Sequence, residues 1–277
     1  MKQFYVTGDK HGMVTTDMEL HQDPNAAVII LGDAGFNFYL GHRDTKLKQY
    51  VTDHSKCTWY VVRGNHEARP QDVIGMKEIY DADVGGNVYV EDKFDRIRYF
   101  KDWGAYTIAS YSVAIIGGAY SVDKWYRLTN AGVTSKLDPK YMNPKVTGWF
   151  PNEQLSAEES KQVEVDLSGK SFDFVLTHTC PLSWEPTDLF MPIVDQSNVD
   201  KSTEIWLDEL KSKFDWNVWL FGHYHRDRFE RPHVEMFYFC YDTLEEISAR
   251  WLWYDKTGEL GADWLYPKSP LFYEKER

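Results

Sequence analysis

Short apolar runs along the chain stop repeatedly at the same kind of residue. Phe4–Thr7 ends at Gly8-Asp9, and Ala27–Leu31 ends at Gly32-Asp33. Thr58–Val62 leads through Arg63 to Gly64-Asn65-His66, Phe172–Thr177 ends at His178, and Val218–Phe221 ends at Gly222-His223. Apolar runs of about 4–8 residues predict strands buried on both faces. Open α/β sheets bind ligands beyond the carboxyl ends of their strands, so Asp, Asn and His delivered there read as a site. Helices are predicted over Asp44–Asp53, over Asn152–Leu167 with its polar start, and over Asp200–Phe214, where Ile205, Leu207, Leu210 and Phe214 fall near helical spacing. Ile97–Phe100, Ala105–Ala109 and Val113–Ile116 read as antiparallel strands with Trp103-Gly104 as a turn, and Val234–Tyr241 and Arg250–Tyr254 as further strands. A parallel core with antiparallel additions predicts an α/β (α+β) architecture: two packed mixed β-sheets flanked by helices.

No repeat, low-complexity tract or linker interrupts the 277 residues, so one domain over 1–277 is expected. No apolar run approaches the ~18–20 residues of a bilayer helix. The start, Met1 to Val6 running into Gly8-Asp9, leaves no room for a signal peptide. A net charge of −12 argues against a protein that tracks long nucleic acid, unless bound cations invert the charge locally. Cys57, Cys180 and Cys240 form no CxxC pair and no even framework, which favours a reducing, cytoplasmic home.

Taken singly, Asp9-Lys10-His11 reads as a solvated turn, and His178 as a core histidine in need of partners. Gly64-Asn65-His66 and Gly222-His223-Tyr224-His225 sharpen the pattern, and Asp33 at the end of a buried strand is costly without a cation or hydrogen bonds. Asp supplies hard anionic oxygen, His a borderline nitrogen and Asn a neutral carbonyl oxygen, a donor set suited to two divalent ions ~3.5–4 Å apart. Cysteine is missing from these positions, which argues against structural zinc.

The order Asp9-x-His11, Gly32-Asp33, Gly64-Asn65-His66-Glu67, His178 and Gly222-His223-x-His225 resembles the calcineurin-like metallophosphoesterase superfamily. The resemblance implies two packed mixed sheets with the ligands on loops at one edge. It implies that Asp9, His11 and His225 hold one metal, that Asn65, His178 and His223 hold a second, and that Asp33 bridges them. His66 then acts in catalysis, giving a proton to the leaving oxygen or stabilising the transition state, and a metal-held hydroxide attacks phosphorus in line. The implied cofactors are two divalent ions, manganese first, with iron, zinc, cobalt or nickel as alternatives. The implied activity is phosphate-ester hydrolysis, read as a phosphomonoesterase acting on a protein or small molecule. The alternatives are a phosphodiesterase acting on a nucleotide or nucleic acid, and a non-catalytic scaffold of the same fold.

Arg63-Gly64-Asn65-His66-Glu67 resembles the Ser/Thr protein phosphatase branch, yet Phe36 and Asn37 stand where that branch has the Asp and Arg of G-D-x-x-D-R-G. The phosphate anchor must then come from elsewhere. Lys124 and Arg127, in a segment that leaves a strand through Gly117-Gly118, are the candidates, with Arg43 and Arg69 in reserve. Residues 184–198 are a second candidate rim. Cys180 reads as a small buried residue, and Trp251, Trp253, Trp264 and Tyr266 as packing aromatics.

Overall fold

The computed structural model describes residues 2–14 and 22–261; Trp264 and Tyr266 lie outside them. Strands β1 (Gln3–Thr7) and β2 (Ala26–Leu31) precede helix α1 (His42–His54) and strand β3 (Thr58–Val62). Strands β4 (Met76–Asp81), β5 (Gly86–Glu91), β6 (Ile97–Phe100), β7 (Trp103–Ile108) and β8 (Tyr111–Ile116) follow. Helices α2 (Lys124–Asn130), α3 (Pro144–Thr147) and α4 (Ala157–Leu167) lead to β9 (Ser171–Thr177), α5 (Ser202–Leu210) and β10 (Asp215–Phe221). The described chain closes with β11 (Arg228–Arg231), β12 (Val234–Met236), β13 (Asp242–Thr243) and α6 (Leu244–Thr257).

Two mixed sheets result, ordered β13-β1-β2-β3-β6-β5-β4 and β11-β12-β10-β9-β8-β7. Strands β1, β2, β3 and β6 run parallel in the first, and β8, β9, β10 and β12 in the second. Their side chains alternate between two buried faces, which is why these runs are continuously apolar. Ile29 and Leu31 of β2, Val62 of β3, Ile115 of β8, Leu176 of β9 and Leu220 of β10 share the core between the sheets. Their sequence neighbours face outward. Val28, Ile30 and Val61 meet Val51 of α1, while Val175, Trp219 and Phe221 meet Leu167 of α4 and Leu207 and Leu210 of α5. Each such buried side chain contributes ~1.5–3 kcal/mol, so both sheets are clamped from both sides. Among the described residues no helix is long and apolar enough to cross a membrane.

Several local expectations are corrected. Arg250–Tyr254 belongs to helix α6 rather than a strand. Thr243 and Glu246 form a reciprocal capping box at its start, Gly258 ends it in the left-handed region, and Leu244, Ile247 and Trp251 turn one face into the core. Trp103-Gly104 opens β7 instead of turning. The hairpin turns at Ala109 (φ 50°) and Ser110 (φ 73°), two residues that carry no Asn-Gly or Asp-Gly signal. The Lys124–Arg127 segment is the start of helix α2 rather than a loop, and only Val234–Met236 of the expected Val234–Tyr241 is strand.

Candidate metal centre

All five strand-end groups come together at one edge of the sandwich, three from the first sheet and two from the second. The loops are laced to each other by backbone bonds. His11 N–H donates to Asp33 O at 2.7 Å, Gly12 N–H to Ala34 O at 2.9 Å, and Gly222 N–H to His178 O at 2.9 Å. Two glycines permit this crowding. A Cβ on Gly64 would fall 2.0 Å from Asp33 Oδ1, and one on Gly222 would fall 2.6 Å from Asp9 Oδ2.

The donor atoms of Asp9, His11 and His225 lie within 4.8 Å of one another, as do those of Asp9, Asp33 and His178. His11 Nε2 and His225 Nε2 are 3.0 Å apart, and Asp9 Oδ1 stands 3.9 Å from His225 Nε2. Asp33 Oδ2 reaches both groups, at 3.9 Å from His11 Nε2 and 3.7 Å from His178 Nε2. Atoms sharing one cation at bonds of ~2.1 Å sit ~3–4 Å apart, so these separations suit shared ligation. His223 borders the second group through its ring, 4.9 Å from that of His178, while its N–H donates to Asp9 Oδ2 at 2.5 Å.

The polar bookkeeping points the same way. His178 Nδ1 faces the Leu31 carbonyl at 2.8 Å. A carbonyl only accepts, so Nδ1 carries the proton and Nε2 of the neutral ring presents a lone pair. Asn65 Oδ1 sits 2.8 Å from that Nε2. Two acceptors face each other, and a cation satisfies both. Asp9 Oδ1 is buried with no hydrogen-bond partner among the described residues. Burial raises Asp9 well above the usual carboxylate range, and Asp33 adds repulsion. For Asp33, burial is outweighed by the imidazoles of His178, His66 and His11, which hold it below that range. Burial lowers His11, His178 and His223, and takes His225 down to about 4, so the rings offer lone pairs at neutral pH. The donor set fits divalent cations.

His66 stands apart from these groups. Its N–H donates to Asp33 Oδ1 at 2.8 Å, its ring lies 5.8 Å from that of His11, and its buried Nδ1 has no hydrogen-bond partner among the described residues. Phe36, in place of an orienting carboxylate, is fully buried against Trp59. Asn37 is buried too and accepts from Lys48 Nζ at 2.6 Å, so it faces away from phosphate work.

The four anchor candidates separate clearly. Arg69 is consumed by Asp102, Glu159 and the carbonyls of Asn152 and Gln154. Arg43 lies over the Tyr39 ring at 4.7 Å. Lys124 Nζ is held over Trp149 at 4.2 Å, with Tyr120 and Trp125 also near. Arg127 bonds Asp123 Oδ2 at 2.7 Å and Gly148 O at 3.1 Å and lies over Phe38, whose ring is 6.1 Å from that of His66. Its charge helps to lower His11. Within residues 184–198, Phe190 stacks on Tyr224, between His223 and His225, and Trp184 is buried. Burial pushes the Cys180 thiol well up, as befits a packing residue.

Supporting residues surround the cluster. Glu67, pushed up to about 8 by burial and Asp33, accepts from Gly35 N–H at 2.9 Å and so ties the Asp33 loop to the Asn65 loop. Asp227 accepts from the N–H groups of Tyr238, Phe239 and Cys240, and Tyr238 stacks on His225. Ser121 accepts from Asn65 Nδ2 at 2.8 Å and is bonded in turn to Glu153. Glu67 ends the Gly64–Glu67 motif and was legible; the others sit in no motif.

The sequence model for calcineurin-like phosphoesterases matches residues 2–227, a span that contains every strand-end group. Among curated proteins no relative matches.

Proposed function

Because the chain belongs to the calcineurin-like phosphoesterase family, we propose that it hydrolyses phosphomonoesters, on a protein or a small molecule, at this strand-end cluster with two divalent ions, manganese first. The family's general chemistry is metal-dependent phosphoric ester hydrolysis, and two divalent ions are its usual complement. Asp9, His11 and His225 would hold one ion, Asn65, His178 and His223 the other, with Asp33 reaching both. One observation carries the reading: the lone pairs of His178 Nε2 and Asn65 Oδ1 meet at 2.8 Å, beside an Asp9 Oδ1 that has no partner among the described residues.

When bound, the ions lower the pKa of water and neutralise charge on the phosphoryl oxygens. The protein's own work is positioning and proton handling. The acidic chain repels an anionic ester, and bound cations would reverse that field at the cluster. Arg127, which also bonds Asp123 and Gly148, would hold a phosphoryl oxygen, and His66 would give the leaving oxygen its proton. Cytoplasmic residence is part of the proposal, supported by three cysteines buried as thiols.

The test is hydrolysis of p-nitrophenyl phosphate and bis-p-nitrophenyl phosphate by chelator-treated protein, with and without Mn²⁺. Mn²⁺-dependent turnover of the monoester above the diester is expected. Preference for the diester would move the substrate to phosphodiesters, and no turnover of either would favour a scaffold.

A further inference from the structure

We propose that Glu153 and Ser121 are positioning residues which fix the polarity of the Asn65 amide, keeping its oxygen turned toward His178 and a divalent cation. The inference rests on the metal-centre reading above and assigns the site a support outside every motif.

Asn65, Ser121 and Glu153 are all buried, at 1%, 1% and 2% exposure, so water cannot satisfy them. Glu153 Oε1 accepts from Ser121 N–H at 3.1 Å, and its Oε2 lies 2.5 Å from Ser121 Oγ. An ionised carboxylate only accepts, so the serine hydroxyl must give its proton to Glu153. Ser121 Oγ then has only lone pairs left for Asn65. The amide nitrogen must face it, at 2.8 Å, and the amide oxygen must face the other way. There it meets His178 Nε2, itself stripped of a proton because Nδ1 donates to Leu31 O. Two chains of donors thus end on a pair of bare acceptors. In the protein alone this contact is repulsive; with a cation between the atoms it becomes ligation. The backbone holds the outer end of the chain in place, since Arg63 Nη1 donates to Glu153 O at 2.7 Å and Gly118 N–H to Arg63 O at 2.8 Å.

Glu153→Gln reverses the relay. Ser121 N–H still needs an acceptor, so the oxygen of the introduced amide takes it and the nitrogen of that amide donates to Ser121 Oγ. The serine hydroxyl then turns its proton to Asn65, whose amide flips and points N–H at His178 Nε2. That hydrogen bond occupies both ligand atoms. An Asn65→Asp chain would keep an accepting oxygen toward the cation whichever way the relay runs, and with Glu153→Gln the serine proton becomes free for its other oxygen.

The experiment is a pair of double-mutant cycles read as Mn²⁺ affinity by titration calorimetry at about pH 8, above the value of about 7 to which burial pushes Glu153. Glu153→Gln is expected to weaken the second Mn²⁺ site by roughly 10–100-fold, the range for a residue that orients a ligand. The same substitution should cost little when combined with Asn65→Asp, and little when combined with Ser121→Ala, where the relay is already cut. Equal losses in all backgrounds would show that only the charge of Glu153 mattered, and would overturn the relay. Wild-type affinity in Glu153→Gln would overturn it too. A wild-type chain that takes up no Mn²⁺ would bring down the metal-centre reading and this inference with it. Two bound ions without coupling in either cycle would end the relay alone.

Discussion

Asp9, His11, Asp33, His223 and His225 all have positive φ, between 27° and 71°, a region that non-glycine residues occupy at a cost of ~1–3 kcal/mol each. The loop-to-loop bonds of the cluster hold them there, so the protein spends stability to aim these side chains. His66 is aimed by the same loops without joining either ligand group. His66→Asn should therefore keep the Mn²⁺ stoichiometry but lose about 10²–10⁴ in kcat on an alkyl phosphate, and less on p-nitrophenyl phosphate, whose leaving group needs little protonation. Loss of an ion, measured by elemental analysis, would reassign His66 as a ligand. Arg127→Ala should cost roughly 10–150-fold in kcat/KM, the worth of a charge-assisted phosphate contact of ~1.5–3 kcal/mol. Lys124→Ala should change kcat/KM by less than about two-fold, because its ammonium is already engaged by three rings. Steady-state kinetics with one monoester separates the two, and an unaffected Arg127→Ala enzyme would return attention to Arg43. The grouping of the expected ligands was legible because each is an ill-fitting polar residue at the end of an apolar run. Ser121 and Glu153 were not, because a serine and a glutamate look ordinary until the fold places them behind Asn65.

At the scale of elements, the parallel strands were legible for the same reason that they are buried: both faces pack, so the runs are unbroken. Helix α6 was not, since Arg250–Tyr254 alternates aromatic residues like a strand, and only the Thr243–Glu246 capping box and the spacing of Leu244, Ile247 and Trp251 reveal its period. The β7–β8 turn was missed because Ala109-Ser110 adopts a conformation normally taken by Asn and Gly. Helix α5 carries a less visible constraint. Its Glu204 is buried and accepts from Thr179 Oγ1 at 2.7 Å, and burial pushes it up to about 7. Between about pH 4.5 and 7 the folded chain keeps a proton that the unfolded chain has released, so this group makes stability fall as pH rises through that window. The loss is fully present above about pH 7 and amounts to roughly 3 kcal/mol. Glu204→Gln keeps an acceptor for Thr179 and removes the titration. Urea unfolding should show the variant more stable than wild type at about pH 8, with the advantage shrinking toward about pH 5. An advantage that does not change with pH would mean that Glu204 is not the source.

The whole molecule places its charges so that one edge joins both sheets. Asp9, Asp33 and Asn65 follow strands of the first sheet, and His178, His223 and His225 follow strands of the second. A cation held by these side chains would also fasten the sandwich. Without cations, that edge keeps two carboxylates and a bare imidazole nitrogen out of water, and Asp9 is raised well above its ordinary range by that confinement. Binding to the folded state alone adds RT ln(1 + [L]/Kd), about 2.7 kcal/mol at a hundredfold excess over Kd. For a chain of this size that corresponds to roughly 5–10 °C in the unfolding midpoint. Mn²⁺ should raise the midpoint by that order, and a chelator should reverse the gain. Asp9→Asn should do the opposite of an ordinary core substitution. It removes one of two like charges buried together while leaving an oxygen for the His223 N–H, so the metal-free midpoint should rise. It also removes a proposed anionic ligand, so the Mn²⁺ increment should shrink toward zero. Scanning calorimetry of both proteins, with and without Mn²⁺, gives four midpoints that decide the matter. An equal Mn²⁺ increment in both would take Asp9 out of the ligand set, and a lower metal-free midpoint in the variant would show that its carboxylate stabilises the metal-free edge rather than straining it.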